Sequence, residues 1–473
     1  MDTYMTKNNQ NKIALWALFK QAVSGKVQHD FTKGSIGVAA FLLAVPMVLE
    51  MSMEAVFALV DIFYVSFLGF EAVTVVGLTE AVLTILYALA IGLSMGVTAM
   101  VARRVGEKDI EKANEVAGQA LWLGLIVASI VGMVGLLFAE DILLFMGADA
   151  SVLAIGTSYT TIMLCGSITI FYLFLINAIF RGAGDASVAM RSLWLANGIN
   201  IVLDPILIFG WGPFPEMGVT GAAVATTIGR GVGVIYQLYH LRGHVGRIRL
   251  SWHALTPRVS QMWSLVKVST GGILQFLVAT ASWVVLVRIV ATYGSAAVAG
   301  YTIAIRVVMF TLLPAWGLSN AVATLVGQNL GAKQSERAEK SVWKVARYNV
   351  GFMVSVAVVL FVFAPLIVSA FSSDPIVAEY GIRCLRYISL GFGFYGLGMV
   401  VVQAFNGAGD TMTPTKINLL CFWVVQIPLA YALAVGINWG PSGVFWAIVF
   451  AQSLMTVVGV AVFKRGSWKH RQV

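Results

Sequence analysis

VARRVGEKDIEKA, residues 101–113, returns in altered form as VGQNLGAKQSERA at 326–338, a shift of 225 residues. The same shift carries RGAGD (181–185) onto NGAGD (406–410) and Gly69 onto Gly294. One constant offset that aligns two loop pairs and an outer turn marks a duplication, so the chain reads as two copies of one unit.

Between these markers the sequence is apolar. Of 473 residues 59% are hydrophobic and 11% charged, and the mean hydropathy is +0.85, outside the range of soluble globular proteins. The fold class is therefore an all-α polytopic membrane protein. A helix needs about 20 apolar residues to cross roughly 30 Å of hydrocarbon. Turn signals divide the chain into twelve such spans, expected at 35–68, 72–100, 116–139, 150–179, 187–210, 217–240, 266–293, 296–327, 346–371, 376–405, 412–436 and 440–463. Six spans per copy keep both copies in one orientation, two parallel six-helix repeats, with a substrate path expected between them near the midplane. The expected layout is an N-terminal arm (1–33), a first lobe (34–240), an inter-lobe loop (241–265), a second lobe (266–463) and a tail (464–473).

With the N-terminus inside, all but five of the 31 Lys and Arg fall in the arm, the inner loops or the tail. The exceptions are Arg230, Arg288, Arg306, Arg383 and Arg386, while Glu140, Asp141, Asp149 and Asp374 occupy outer loops. That asymmetry obeys the positive-inside rule. The net charge of +9 thus reports topology and gives no case for a nucleic-acid partner. A monomer in the inner (plasma) membrane is expected, multi-pass, with both termini cytoplasmic. The apolar segment after the arm is too long for a signal-peptide core and lacks a small-residue cleavage site, so the arm is expected to stay. Within it, IALWALF (13–19), flanked by Lys12 and Lys20, is a candidate interfacial helix. Cys165, Cys384 and Cys421 have neither disulfide nor metal spacing and read as packing residues.

The two GAGD elements resemble phosphate-binding turns. No soluble strand precedes either, and each joins two spans, so Asp185 and Asp410 are expected to cap the following helices, with Pro414 just inside the second.

These features together resemble the multidrug and toxic compound extrusion (MATE) transporters over nearly the whole chain. The likeness rests on twelve spans in two repeats and on Pro46 with VDIFYVSFLG (60–69) in the first span. It rests also on GAGD after spans 4 and 10, and on NIVLDPILIFG (200–210) followed by PFPEMGVTGAA (213–223). The resemblance implies a V-shaped, two-lobed exporter that exchanges drug-like, often cationic, small molecules for incoming protons or sodium, with no resident cofactor. NIVLDP is similar to the DinF-like branch. The NorM-like branch keeps a glutamate in span 7 where this chain has Ala279.

Ionisable residues inside a membrane are costly and mark function by default. Counting along the helices places Asp61, Glu80, Tyr159, Asn200, Asp204 and Thr226 at one level, about 12 Å below the outer surface. The resemblance implies that Asp61, Tyr159, Asn200 and Asp204 line a cation site, with Thr226 a further member for which Thr220 and Thr227 compete. Asn177 lies too near the inner end of span 4 to reach Asp61. Applying the 225-residue offset to Glu50, Glu54, Asp61, Glu80, Asn200 and Asp204 gives Gln275, Ala279, Leu286, Ile305, Val425 and Leu429, so every acid has lost its charge in the second copy. The first lobe reads as the coupling lobe. Two carboxylates close together in low dielectric cannot both stay ionised cheaply, so Asp61 and Asp204 are expected to titrate as a pair. A proton, or a sodium ion held by Asp61, Asn200, Asp204 and Thr226 oxygens, would neutralise the site. Loading is expected to bend or shift span 1, aided by Pro46.

Glu50 and Glu54 share a helix face with Asp61 and continue inward. They read as a proton path, a drug contact, or partners of Arg288 or Arg306. For those two arginines a structural pairing is expected ahead of contact with an anionic group on the substrate. Some of the 18 Met and 27 Phe must line the cavity. A lipid-linked precursor flippase of the same superfamily is the alternative, and it would call for a more basic cavity. An enzyme is not expected, because His29, His240, His244, His253 and His470 all fall in inner polar segments. The closed, duplicated lobes disfavour a channel.

Overall fold

The computed structural model describes residues 15–25, 29–243 and 246–471, and within them it is helical with no strands. Eleven helices are long and apolar enough to cross a bilayer, and a twelfth span is a bent pair. In order they are span 1 (Ile36–Ser66), span 2 (Phe70–Gly106), span 3 (Ile110–Phe145), span 4 (Ala150–Ala183), span 5 (Ala186–Phe209) and span 6 (Val219–Arg242). The second lobe follows with span 7 (Val259–Ala291), span 8 (Ser295–Gly331), span 9 (Ser335–Ser369), span 10 (Pro375–Leu390 with Phe392–Gly407), span 11 (Met412–Gly436) and span 12 (Pro441–Lys464).

Several helices outrun their apolar windows. Span 3 begins at Ile110 and span 9 at Ser335, while span 7 begins at Val259 and so shortens the expected inter-lobe loop. Hydropathy marks where lipid must be, whereas a helix continues wherever an amphipathic face finds a partner. Span 9 buries Ala338, Val342, Val345 and Ala346 at helical spacing along its polar first turns. Of the IALWALF stretch, residues 15–19 open a helix that runs to residue 24, and Leu15 and Trp16 are exposed. Residues 13 and 14, Lys12 and His244 lie outside the described residues. Cys384 and Cys421 are packed inside as expected, whereas Cys165 is exposed.

The duplication is visible in the backbone. Spans 4 and 10 both break at equivalent glycines, Gly166 and Gly391, and span 10 bends there by 56°. Spans 6 and 12 both start after a left-handed glycine, Gly218 (φ 55°) and Gly440 (φ 60°). The turn after span 11 is shorter than the one after span 5, so the offset falls to 222 in these last spans. Each lobe also ties an indole to its first helix: Trp194 Nε1 donates to Leu49 O and Trp423 Nε1 to Val278 O, both at 3.0 Å.

Spans 1 and 2 pack on spans 8 and 7. A Cβ on Gly92 would overlap the Ile273 backbone, and one on Gly317 would overlap Met47 and Val48. Likewise a Cβ on Gly106 would strike Gln328 O, and one on Gly331 would strike Arg103 O. Ile273 is equivalent to Val48 and Gln328 to Arg103, so the two sets of contacts are images of each other across a pseudo-two-fold axis. Small residues let the backbones touch, as membrane helix pairs without a hydrophobic driving force require.

These contacts occupy the half of the bundle nearer residues 29–34 and 467–471. The same face is cross-linked by polar bonds: Thr324 Oγ1 donates to Arg181 O at 2.8 Å and Gln328 Nε2 to Gly182 O at 2.9 Å. Arg337 donates to Lys33 O (2.8 Å) and Gly34 O (2.9 Å), and Arg247 donates to His29 O. From there the lobes diverge as a V, and Glu80, Arg288 and Arg306 are exposed in the wider half.

The two GAGD aspartates do not cap their helices. Asp185 makes no side-chain cap bond and accepts from Arg247 N at 3.3 Å instead. Asp410 accepts from Thr413 Oγ1 at 2.7 Å and pairs with Arg471 at 3.1 Å. The full cation of Arg471 draws Asp410 away, and Asp185 turns instead to the loop amide packed against it.

Candidate functional site

Asn200 and Asp204 are one helical turn apart and so share a face of span 5. Asn200 Nδ2 donates to Asp204 Oδ1 at 3.2 Å and across to Thr226 Oγ1 of span 6 at 3.0 Å. Span 6 comes this close because Gly229 has no side chain: a Cβ there would strike Ala196 O and crowd Asn200. Thr226 is therefore the threonine that meets Asn200, whereas Thr227 turns back on its own helix to Ala223 O at 2.8 Å. Asn200, Asp204, Thr226 and Tyr159 are all buried.

Two oxygens here, Asn200 Oδ1 and Asp204 Oδ2, are buried without a hydrogen-bond partner. Buried acceptors are rarely left in that condition. Pro205 lacks an N–H, so Ile201 O also loses its helical donor beside them. Asp61 is half-buried and stands within electrostatic reach of Asp204, Tyr159 and Glu80. The six polar residues placed at one depth by counting thus come together from five helices. An acceptor-rich pocket of hard oxygens fits a proton or a sodium ion. No group of three or more His, Cys, Asp or Glu side chains suited to a metal occurs among the described residues.

One member of this neighbourhood escaped sequence reasoning. Arg230, four residues beyond Thr226 on the same helix face, is buried and donates from Nη2 to Tyr87 OH at 2.9 Å. It lies within electrostatic reach of Asp61 and Glu54. Its exception to the charge asymmetry was the available signal. Glu54 itself accepts from Asn197 Nδ2 at 3.1 Å.

Glu50 has a different environment. It is buried, and its Oε1 accepts from Asn177 Nδ2 at 3.1 Å and faces Arg181 Nη1 at 3.5 Å. Asn177 Oδ1 in turn accepts from Ser192 Oγ at 3.1 Å and Gln237 Nε2 at 2.6 Å. The expected partners Arg288 and Arg306 are thus replaced by Arg181. Arg181 had counted as an inner-loop cation, but span 4 stays helical to Ala183 and carries it into the bundle. The structural pairing expected for Arg288 and Arg306 is not formed: among the described residues neither makes an ion pair, because both lie in the half where the lobes stand apart. Arg306 nevertheless feels Glu80 across the cleft. Pro46 is buried within span 1, which runs unbroken through it.

At the bottom of the V a cavity of about 120 Å³ opens between the lobes. Met51, Met95, Phe174 and Trp316 form its apolar walls, and Ser94, Arg181, Asn320, Gln403 and Asn406 its polar ones. These are the cavity-lining soft and aromatic residues that the sequence could not single out.

Known proteins share this architecture. A probable multidrug resistance protein NorM of Thermotoga maritima is 26% identical over 433 residues, 91% of this chain and 93% of that one. An FAD transporter of Shewanella oneidensis is 28% identical over 435 residues, 91% of this chain and 95% of that one. A solved structure described as the outward-facing conformation of a multidrug resistance MATE family transporter of the MOP superfamily superposes with a TM-score of 0.87 at 27% identity. It covers 93% of this chain and 98% of its own. The MatE family model matches residues 46–206 and 273–432, one match per lobe and more than half of the sequence together, so the chain belongs to the MatE family.

Proposed function

We propose that this protein is a secondary active multidrug efflux antiporter of the inner membrane. It would export drug-like, cationic or amphipathic compounds in exchange for protons or sodium by alternating access, with both termini in the cytoplasm. The observation that carries the reading is the pair of unpartnered buried oxygens, Asn200 Oδ1 and Asp204 Oδ2, beside Asp61 inside the first lobe. A site that lacks a donor in the protein is stabilised by one from solution, and only the first lobe has such a site built from acids.

In mechanism, Asp61 and Asp204 hold the incoming ion, with Asn200 and Thr226 orienting the acceptors and Arg230 setting the background charge. Neutralising the acids removes their attraction for a cationic drug in the adjoining cleft and for Arg230, which favours release and a shift of span 1 about Pro46. The two ligands thus compete for the same negative charge, which is what exchange requires. Vesicles bearing the purified protein, a fluorescent cationic drug and an imposed proton gradient, then an imposed sodium gradient, test this. Drug movement is expected with one gradient and is expected to vanish in Asp61→Asn. Movement with neither gradient, or full movement in Asp61→Asn, overturns the proposal.

A further inference from the structure

Two of the cations that break the charge asymmetry, Arg383 and Arg386, lie in the first half of span 10 and take no part in the cleft. Arg383 is paired with Glu379 one helical turn before it. Arg386 has no counter-charge: among the described residues it makes no ion pair, and its one hydrogen bond runs from Nε to Phe361 O of span 9 at 3.2 Å. That carbonyl is open because Pro365, four residues on, has no N–H to give it. The guanidinium also lies over the Phe361 ring, 5.5 Å from its centroid. Both contacts pin Arg386 onto span 9 and leave the N–H groups of Nη1 and Nη2 unused.

The position is costly for an ion. Phe361 is eight residues from the end of span 9 at Ser369, and Arg386 eleven residues from the start of span 10 at Pro375, so the cation sits about 12 to 16 Å inside the helix ends. Its first-lobe equivalent is Thr161, which turns back to Thr157 O at 2.8 Å, so the six-helix unit itself needs no charge there.

From Arg386 a trough of about 530 Å³ runs between spans 9 and 10, away from the 370–374 turn that joins them. From Val362 to Val350 it follows about 18 Å of helix. Val354, Val358, Phe361, Leu390 and Phe394 give it exposed apolar walls, and Gly393 gives it depth, since a Cβ there would already touch Val354 Cγ2 at 3.4 Å. None of its lining residues borders the cavity between the lobes.

We propose that this trough binds one anionic phospholipid from the leaflet on the side of the 370–374 turn, with its phosphate on the Nη groups of Arg386 and one acyl chain along the trough. Two independent features select that occupant. Walls of aliphatic and aromatic side chains over 18 Å match an extended hydrocarbon chain and offer a polar ligand nothing. A single uncompensated cation at the end of the trough calls for a head of net negative charge, whereas a zwitterionic head brings a cation of its own beside Arg383 and Arg386. The break of span 10 at Gly391 lies between Leu390 and Gly393, so the bound chain packs along the bend.

The intact protein in neutral detergent is titrated with phosphatidylglycerol or with phosphatidylethanolamine of the same chains, and bound lipid is counted by native mass spectrometry. Wild type and variant share one sample, so that binding elsewhere on the surface cancels. The readout is the ratio of phosphatidylglycerol to phosphatidylethanolamine affinity, which a merely structural role of Arg386 at Phe361 O would not move. Arg386→Gln is expected to lower the ratio about tenfold, the worth of one hydrogen bond to a charged group, and Arg386→Lys to keep most of it. Gly393→Leu fills the trough and is expected to weaken both lipids alike. A ratio unmoved by Arg386→Gln, or lipid binding untouched by Gly393→Leu, overturns the proposal. So does displacement of the lipid by glycerol phosphate, which would make the ligand a free anion, or loss of the lipid on dimerisation, which would seat a second copy in the trough. No transport enters the readout, so the result stands apart from the efflux reading.

Discussion

In the first lobe Glu50, Asp61, Glu80 and Arg181 stand where the second lobe has Gln275, Leu286, Ile305 and Asn406, and Arg230 stands where it has Gln452. The second lobe is not apolar inside. Asn349 Nδ2 donates to Gly396 O at 2.8 Å, and Asn320, Gln403 and Asn406 bond one another. The difference is therefore between ions and amides on a common backbone. Amides satisfy a buried helix junction without titrating, so the shape of the six-helix unit needs polar contacts but no charge. Charge inside the bundle is concentrated in the first lobe, where Glu50 meets Arg181 and where Asp61 stands near Asp204.

That contrast can be broken in four places. The largest effect is expected from giving the first lobe the second lobe's residue at its acid level: Asp61→Leu should reduce gradient-driven drug movement to that of empty vesicles, while thermal unfolding in detergent stays cooperative. Next comes Arg181→Asn alone, which leaves Glu50 buried without its counter-charge and should cost about 3 kcal/mol or more, whereas the double change with Glu50→Gln should fall within about 1 kcal/mol of the parent. Denaturant unfolding of the three proteins reads both values. Gly317→Leu should then force the close half of the V apart by overlap with Met47 and Val48, and a spin-label distance between the lobes should lengthen at that face. The smallest effect belongs to Trp194→Phe and Trp423→Phe. Each loses one indole bond to the first helix of its lobe, worth about 1 kcal/mol, and the two losses should match in unfolding because donor, acceptor type and length are the same.

The duplication, the twelve spans and the one-sided distribution of acids were legible because each is a property of spacing and sign. Asn200 with Asp204 was legible because a four-residue interval fixes a helix face. The Glu50–Arg181 and Arg230–Tyr87 contacts were not, since each joins positions more than a hundred residues apart and depends on how far one helix slides along another. Asp185 and Asp410 misled for a related reason. Their local setting fits a cap, and only the arrival of Arg247 and Arg471 from distant segments redirects them. Charge asymmetry pointed to Arg230 and Arg306 without saying which faced an acid.

The crossed glycines have a mechanical consequence. Gly106 lies 26 residues down span 2 from Glu80, a lever of roughly 39 Å if the helix stays straight. Turning such a lever by about 10° at its base sweeps the far end through roughly 7 Å, more than one helical pitch. At the base the same turn displaces atoms hardly at all, and smooth glycine surfaces have no interlocking side chains to shear. A small turn at the crossed glycines is thus amplified in the wider half, while the half where the two lobes bear on each other hardly moves.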